Sequence, residues 1–381
     1  MMKRLVLVGG GHAHLSVLQA LAQEKLTDVE VVLVTPSAHQ NYSGMLPGWM
    51  ASHYSLAQCR IDLHALARAA GVTMVIDRIA GMDADRRCVG LPDGRHIEYD
   101  LLSLDIGSEI DVSWLEMAGD KLLPVKPLDA FFDAWPKVLA AASVQSGYRL
   151  VVVGGGAAGV ELALAANHAL QRNACNAQVD LVASDSGLLR GHAPGVQRRM
   201  TRALARAGVH LHAQKAVGIE HGVMLSDATV LQADCVIAAT GARAPSWLQP
   251  SRLLLDEHGY IAVNGQHQSL SHANVFAAGD ICARQDLTMA RSGVHAVHAG
   301  PVLAANLLAT LKRNPLATYK PRKRSLYLLA CGDQYAIASW GGFSAEGAWV
   351  WRWKDRIDRG FIARHSNSGR RRDTLVSKEA T

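Results

Sequence analysis

The apolar positions of this chain gather in short runs that end at glycine or another small residue. Residues 5–8 (LVLV) form the first run, Gly9-Gly10-Gly11 follows, and a helical period begins at Val17 and Leu18. A short apolar run closed by a glycine turn predicts a buried strand that feeds a helix. Residues 29–34 (VEVVLV) repeat the strand pattern and stop at Thr35-Pro36. Residues 72–104 then alternate apolar and polar positions around turn signals at 83–87 and 92–94, which predicts a small antiparallel excursion. The chain returns through an apolar strand to a small-residue stop at Asp105-Ile106-Gly107-Ser108.

The cycle restarts at residues 149–153, a second buried run, followed by Gly154-Gly155-Gly156-Ala157-Ala158-Gly159 and an alanine-rich helix. The next strand, 179–182, ends at Ala183-Ser184. Residues 233–241 (ADCVIAATG) and 274–280 (NVFAAGD) are two more strands that stop at small residues, and 293–311 has a helical period. Two strand–glycine–helix units in one chain read as an internal duplication. The predicted class is α/β, with two Rossmann-like, doubly wound, three-layer dinucleotide-binding domains and a small α+β C-terminal segment. The expected boundaries are 1–125 with 242–315 for a discontinuous first domain, 126–241 for a second domain inserted in it, and 316–381 for the rest.

Composition narrows the class. With 381 residues, 49% hydrophobic and 19% charged, the chain is globular and long enough for more than one core. A net charge of +6 suits an anionic cofactor or an anionic membrane surface and does not select nucleic acid. The six cysteines show no C-x-x-C, so a reducing, cytoplasmic setting is expected in place of a disulfide scaffold. The few apolar residues before Gly9 are too short for a signal-peptide core, and no apolar run of about 18 residues predicts a spanning helix.

The glycine turns carry the candidate chemistry. In G-x-G-x-x-G the glycines let the backbone approach a pyrophosphate, which sits at the helix N-terminus. Gly154, Gly156 and Gly159 complete that fingerprint, with close helix–strand packing as the competing reading. Gly9 and Gly11 match it in part, because His14 stands at the third position. The acid that usually holds a ribose is missing after both second strands, where Thr35 and Ala183-Ser184 stand. Arg190, Arg198 and Arg199 suit a 2′-phosphate, which favours NADPH, or are solvated surface arginines. Residues 41–48 (NYSGMLPG) are a ligand-covering loop or an ordinary crossover. Asp280, after small residues, suits a polyol hydroxyl. The helix N-terminus at Ser292–Val294 can aim its dipole at developing negative charge. The pairs His12/His14, His210/His212 and His295/His298 supply too few ligands for a metal, and none is expected. Trp349, Trp351 and Trp353 share one face if extended and interleave with Arg and Lys. They suit a membrane interface or an intramolecular docking face ahead of nucleic acid, for which no fold motif is present. The tail from Ser366 is polar and expected to be mobile.

Taken in this order, the motifs resemble the pyridine nucleotide–disulfide oxidoreductases. That resemblance makes Gly9 and Gly11 the FAD pyrophosphate loop, with His12, Thr35, Gly44, Gly107, Gly279, Asp280 and Val294 on the FAD side. It makes Gly154, Gly156 and Gly159 the NADH or NADPH loop, and Thr240-Gly241 the strand end that joins the two domains. In detail, GGGHAH at 9–14, YSGMLPG at 42–48, YDLLSLDIGS at 99–108 and WxWKDxIDR at 351–359 resemble a branch near type II NADH dehydrogenases and sulfide:quinone oxidoreductases. They are closest to a subfamily often fused N-terminal to selenide, water dikinase, in which His14 is an expected replacement; a packing or backbone-bonded His14 is expected ahead of a catalytic one.

The resemblance implies Glu161 as a catalytic residue for positioning or proton balance. It adds Lys126 as its partner or a flavin neighbour, against the reading of a surface lysine at a hinge. Without C-x-x-C, a disulfide-reductase mechanism is unsupported, and Cys331 reads as an inert buried thiol. The implied activity is hydride transfer from NAD(P)H to FAD, then two electrons to an acceptor, a quinone. Alternatives are a flavin reductase for selenium or sulfur species and a non-catalytic flavoprotein module. The implied location is cytoplasmic and peripheral on the inner face of the cell membrane, with a homodimer allowed.

Overall fold

The structure is a computed structural model that describes residues 2–24, 26–185, 187–289 and 293–376. Two five-stranded parallel sheets organise it. In the first, the strand order is Val275–Ala277, Leu101–Leu104, Lys3–Val8, Val29–Thr35, Thr73–Ile76. In the second it is Leu122–Pro124, Cys235–Ala238, Tyr148–Val153, Ala177–Ala183, His210–Ala213. In each, the strand that opens a glycine loop is central, and the strand after its helix lies beside it. This is the duplicated, doubly wound α/β architecture expected from the sequence.

The strands read as continuous apolar runs because both faces of each sheet are covered. In the first sheet Leu5, Leu7 and Leu33 point into one core with Leu15, Leu18, Leu303 and Leu307. Val6, Val8 and Val34 point into another with Val89, Ile261 and Ile281. Helices His12–Gln23 and Gly293–Lys312 cover the first face. Helix Gly293–Lys312 is long and apolar enough to cross a membrane by length and composition, and its packing in this core accounts for that character.

Two expectations change. The antiparallel excursion comprises Gly81–Asp83, Cys88–Gly90 and His96–Glu98, whereas Thr73–Ile76 is an edge strand of the parallel sheet. The tryptophan segment is not extended. After an antiparallel sheet of Leu326–Ala330, Ala336–Trp340 and Phe343–Gly347, the chain forms one long helix, Ala348–Val376. Trp349 and Trp353 stack one turn apart, with ring centroids 6.4 Å apart. Trp351 turns inward beside His53 at 5.6 Å. The i,i+4 pairs Lys354–Asp358 and Asp355–Arg359 support the helix. The tail from Ser366 is helical in backbone as far as Val376, and its remainder lies outside the described residues.

Candidate functional site

The first site begins at the end of strand Lys3–Val8. Gly9 has φ +91°, and a Cβ there would lie 2.4 Å from the Asp105 carbonyl oxygen, so only glycine fits. The Gly11 amide donates to the same oxygen at 3.0 Å. The Asp105 carboxyl accepts from the amides of Ala13 (2.7 Å) and His14 (2.9 Å) in the first helical turn. Gly279 closes on the same point: its φ is +74°, and a Cβ would lie 2.8 Å from Asp105 Oδ1.

His14 is fully buried, and desolvation lowers its pKa to about 4. The neutral ring donates from Nδ1 to the Gly9 carbonyl (2.6 Å), and Nε2 accepts from the Ser103 hydroxyl (2.8 Å). It therefore ties the glycine loop to the neighbouring strand. Thr35 is buried at the end of its strand, with Oγ1 3.4 Å from where a Gly10 Cβ would stand. Gly107 has φ +73° with open space around it.

His12 opens the helix against Tyr42 (5.5 Å) and Phe361 (5.7 Å). Its Nε2 and the nearby Gln40 Oε1 are buried and lack partners among the described residues. Gly293 lies against the His12 ring, which brings the helix end carrying Val294 to the same place, while Ser292 falls outside the described residues. Asp280 faces Lys126 at 3.5 Å, and Lys126 donates to Ser108 Oγ at 3.0 Å.

The second loop is tighter. A Cβ on Gly154 (φ +142°) would lie 2.1 Å from the Ala239 carbonyl, and one on Gly159 would lie 1.8 Å from the Gly154 carbonyl. Both glycines are required by packing. Gly156 differs: a Cβ there would meet nothing within 4 Å, which leaves open space at the N-terminus of helix Ala157–Arg172. Thr240 donates to the Asp111 carbonyl (2.6 Å) and Gly241 accepts from the Asp111 amide (3.2 Å), joining the crossing segments. Arg190 and Arg198 are exposed, whereas Arg199 is engaged by Glu346 and Ser344 of the C-terminal sheet.

Between the loops runs a charged seam that the sequence reading misses. Glu161 accepts from the Ala330 amide at 2.7 Å. Desolvation pushes its carboxyl up to about 7, partly offset by Lys354. Lys354 donates to the Gly44 carbonyl (2.7 Å) and to Asp358 (2.8 Å). Desolvation works against its charge, but Asp358 and Glu161 outweigh it and raise its pKa. Asp358 also accepts from Tyr42 at 3.1 Å, and Tyr42 stacks on Phe361 at 4.6 Å. The cation beside Glu161 is thus Lys354, while Lys126 lies with Asp280. Cys331 is buried, and desolvation together with Glu161 raises its thiol pKa, leaving it unreactive.

The residues fit two dinucleotides. Two helix N-termini open behind glycine loops in which Gly9, Gly11, Gly154 and Gly159 admit no side chain, and beside the first are a carboxylate at Asp280 and buried polar atoms at His12 and Gln40 without partners among the described residues. Comparison with known proteins agrees. Residues 3–300 match the family described as pyridine nucleotide-disulphide oxidoreductase. Ferroptosis suppressor protein 1 of Xenopus tropicalis is 27% identical over 364 residues, covering 89% of each chain. NADH dehydrogenase-like protein Rv1812c of Mycobacterium tuberculosis is 27% identical over 300 residues, 74% of this chain and 73% of that one. The sulfide:quinone oxidoreductase of Aquifex aeolicus has a TM-score of 0.78 at 15% identity, covering 96% of this chain and 92% of that one. NDH2 of Plasmodium falciparum in complex with NADH has a TM-score of 0.78 at 12% identity, covering 95% and 97%. At those identities the solved structures speak to fold alone. The chain belongs to the pyridine nucleotide-disulphide oxidoreductase family and is an FAD-dependent NAD(P)H oxidoreductase.

Proposed function

We propose that this enzyme takes a hydride from NAD(P)H held at Gly154, Gly156 and Gly159, passes it to FAD, and delivers two electrons to a quinone. The observation that carries the reading is that buried Lys354, anchored on the Gly44 carbonyl of the first unit, places its charge where it acts on the buried Glu161 of the second. FAD supplies the two-electron redox chemistry; the chain supplies binding, orientation and proton control. The unit of residues 1–125 and 242–315 would hold FAD through Gly9, Gly11, His12, Thr35, Gly44, Gly107, Gly279, Asp280 and Val294. The inserted 126–241 unit would hold the nicotinamide nucleotide, and Thr240-Gly241 would mark the junction. The positive helix ends at Gly11 and Gly156 favour the diphosphates. Asp280 would accept from a polyol hydroxyl of FAD, with Lys126 holding that carboxylate in place. Glu161, near neutrality, holds or releases a proton, and Lys354 keeps a positive charge where negative charge develops.

The acceptor is carried over as part of this proposal from the sulfide:quinone oxidoreductase that shares the fold, whose name gives a quinone as its acceptor. The C-terminal segment supplies the membrane side of this reading. Trp349, Trp353 and Ile357 are exposed on one helix face, and Trp340 and Phe343 are exposed at a hairpin turn. The Arg324 side chain packs against Gly341 of that turn, within an exposed basic run at Lys320, Arg322, Lys323 and Arg324. Aromatic rings beside several cations suit an anionic bilayer surface, which fits a peripheral position on the cytoplasmic face. The test is NADH and NADPH oxidation with a short-chain quinone against sulfide or selenide as competing substrates. Quinone-dependent turnover supports the reading. Reduction of the flavin by sulfide or selenide alone would replace it.

A further inference from the structure

Asp105 is a buried carboxyl set between the two glycine motifs of the first site. Its residue is 2% exposed. Oδ2 accepts from both Ala13 and His14, so the carboxyl already occupies two amides of the helix turn that favours a diphosphate. Oδ1 accepts from neither amide and points into the gap between Gly11 and Gly279, whose Cβ atoms would lie 2.4 and 2.8 Å from it. The groups around it do not neutralise it. His14 is uncharged, Asp280 repels it, and Lys126 is committed to Asp280. Among the described residues no cation pairs with it. Burial pushes its carboxyl up to about 7 against the opposing effect of the two amides.

We propose that Asp105, buried between the two glycine motifs with Oδ2 on the Ala13 and His14 amides, takes up one proton when FAD binds, so that FAD affinity in this enzyme is coupled to pH. The inference rests on the FAD reading of the first loop. In the empty chain the carboxylate caps the helix. A diphosphate brought to the same helix end adds like charge to an already buried anion, which raises the cost of ionised Asp105. The neutral acid still caps both amides through Oδ2, and Oδ1 carries the proton drawn from solvent. The proton count balances at one taken up per FAD bound wherever the empty chain is ionised.

The test dilutes the holoenzyme across pH 6–9 and follows FAD release by recovery of flavin fluorescence. Affinity should weaken by about tenfold per pH unit above the empty-state pKa. Calorimetry of FAD re-addition in two buffers of different ionisation enthalpy should show proton uptake approaching one at alkaline pH. Asp105→Asn keeps the acceptor and removes the charge, so it should flatten the profile and abolish the uptake. Glu161 titrates in the same window, and that substitution separates the two groups. A flat wild-type profile, no proton uptake, or an unchanged slope in D105N overturns the proposal while FAD binding itself stands. Failure to bind FAD at every pH overturns both.

Discussion

Lys354 donates to the main-chain carbonyl of Gly44 at 2.7 Å, which fastens the C-terminal helix to the loop that follows the second strand of the first unit. The same ammonium pairs with Asp358 at 2.8 Å and stands beside Glu161 of the second unit. One side chain of the C-terminal helix therefore bonds to the first unit and carries its charge to Glu161 of the second.

Lys354→Met should slow flavin reduction by at least about tenfold, because the substitution keeps the volume and removes the charge. It should also lower Tm, since Asp358 is left as a buried carboxylate without its partner, a loss of about 3 kcal/mol. Stopped-flow reduction together with thermal unfolding checks both. Unchanged rates would remove Lys354 from the working site.

The pH profile of flavin reduction should show an ionisation near 7 from Glu161. Its folded pKa lies above its unfolded value. The ionised form is thus disfavoured by folding, and stability should fall as pH rises from about 4.5 to about 7, then level off. Glu161→Gln should remove both the ionisation and this decline. A profile that keeps its inflection in E161Q assigns the group elsewhere.

The two glycines of the second loop should separate folding from binding. Gly159→Ala places a Cβ 1.8 Å from the Gly154 carbonyl and should disrupt the loop outright. Gly156→Ala meets no protein atom, so unfolding free energy should stay within about 1 kcal/mol of wild type while KM for NAD(P)H rises. Equal KM values in G156A and wild type would argue against a nucleotide at that loop.

Asp280→Ala should weaken FAD retention on gel filtration and leave the second unit folded, with Lys126 losing its partner at 3.5 Å. Full flavin occupancy in this variant would contradict the role given to Asp280.

Trp349→Ala/Trp353→Ala should reduce co-sedimentation with anionic vesicles. Trp351→Ala should lower stability with no change in vesicle binding, because that ring packs inward beside His53. Equal binding by all forms would remove the membrane contact.

The glycine units are legible in the sequence because buried parallel strands are mostly apolar runs and tight turns exclude side chains. Gly9, Gly154 and Gly159 announce contacts that the structure then shows to be closed to any Cβ. The C-terminal helix is harder to read. Tryptophan at every second position mimics the period of a strand, while the competing signal, Lys354 four residues before Asp358, speaks for a helix. The influence of the Lys354 charge on Glu161 has no local signature at all, since only tertiary packing brings the two units together. Lys126 is conspicuous at its turn, yet its neighbour is Asp280, a choice fixed by how the two units cross.

In the proposed cycle NAD(P)H reduces a flavin held by the first loop and a quinone takes the electrons away. The most direct measurement is anaerobic stopped-flow absorbance of the purified holoprotein, mixed first with NADH or NADPH and then with a short-chain quinone. A nicotinamide donor should bleach the flavin band rapidly, and quinone addition should restore it. A protein that carries no FAD, or whose flavin neither donor bleaches, would contradict that cycle.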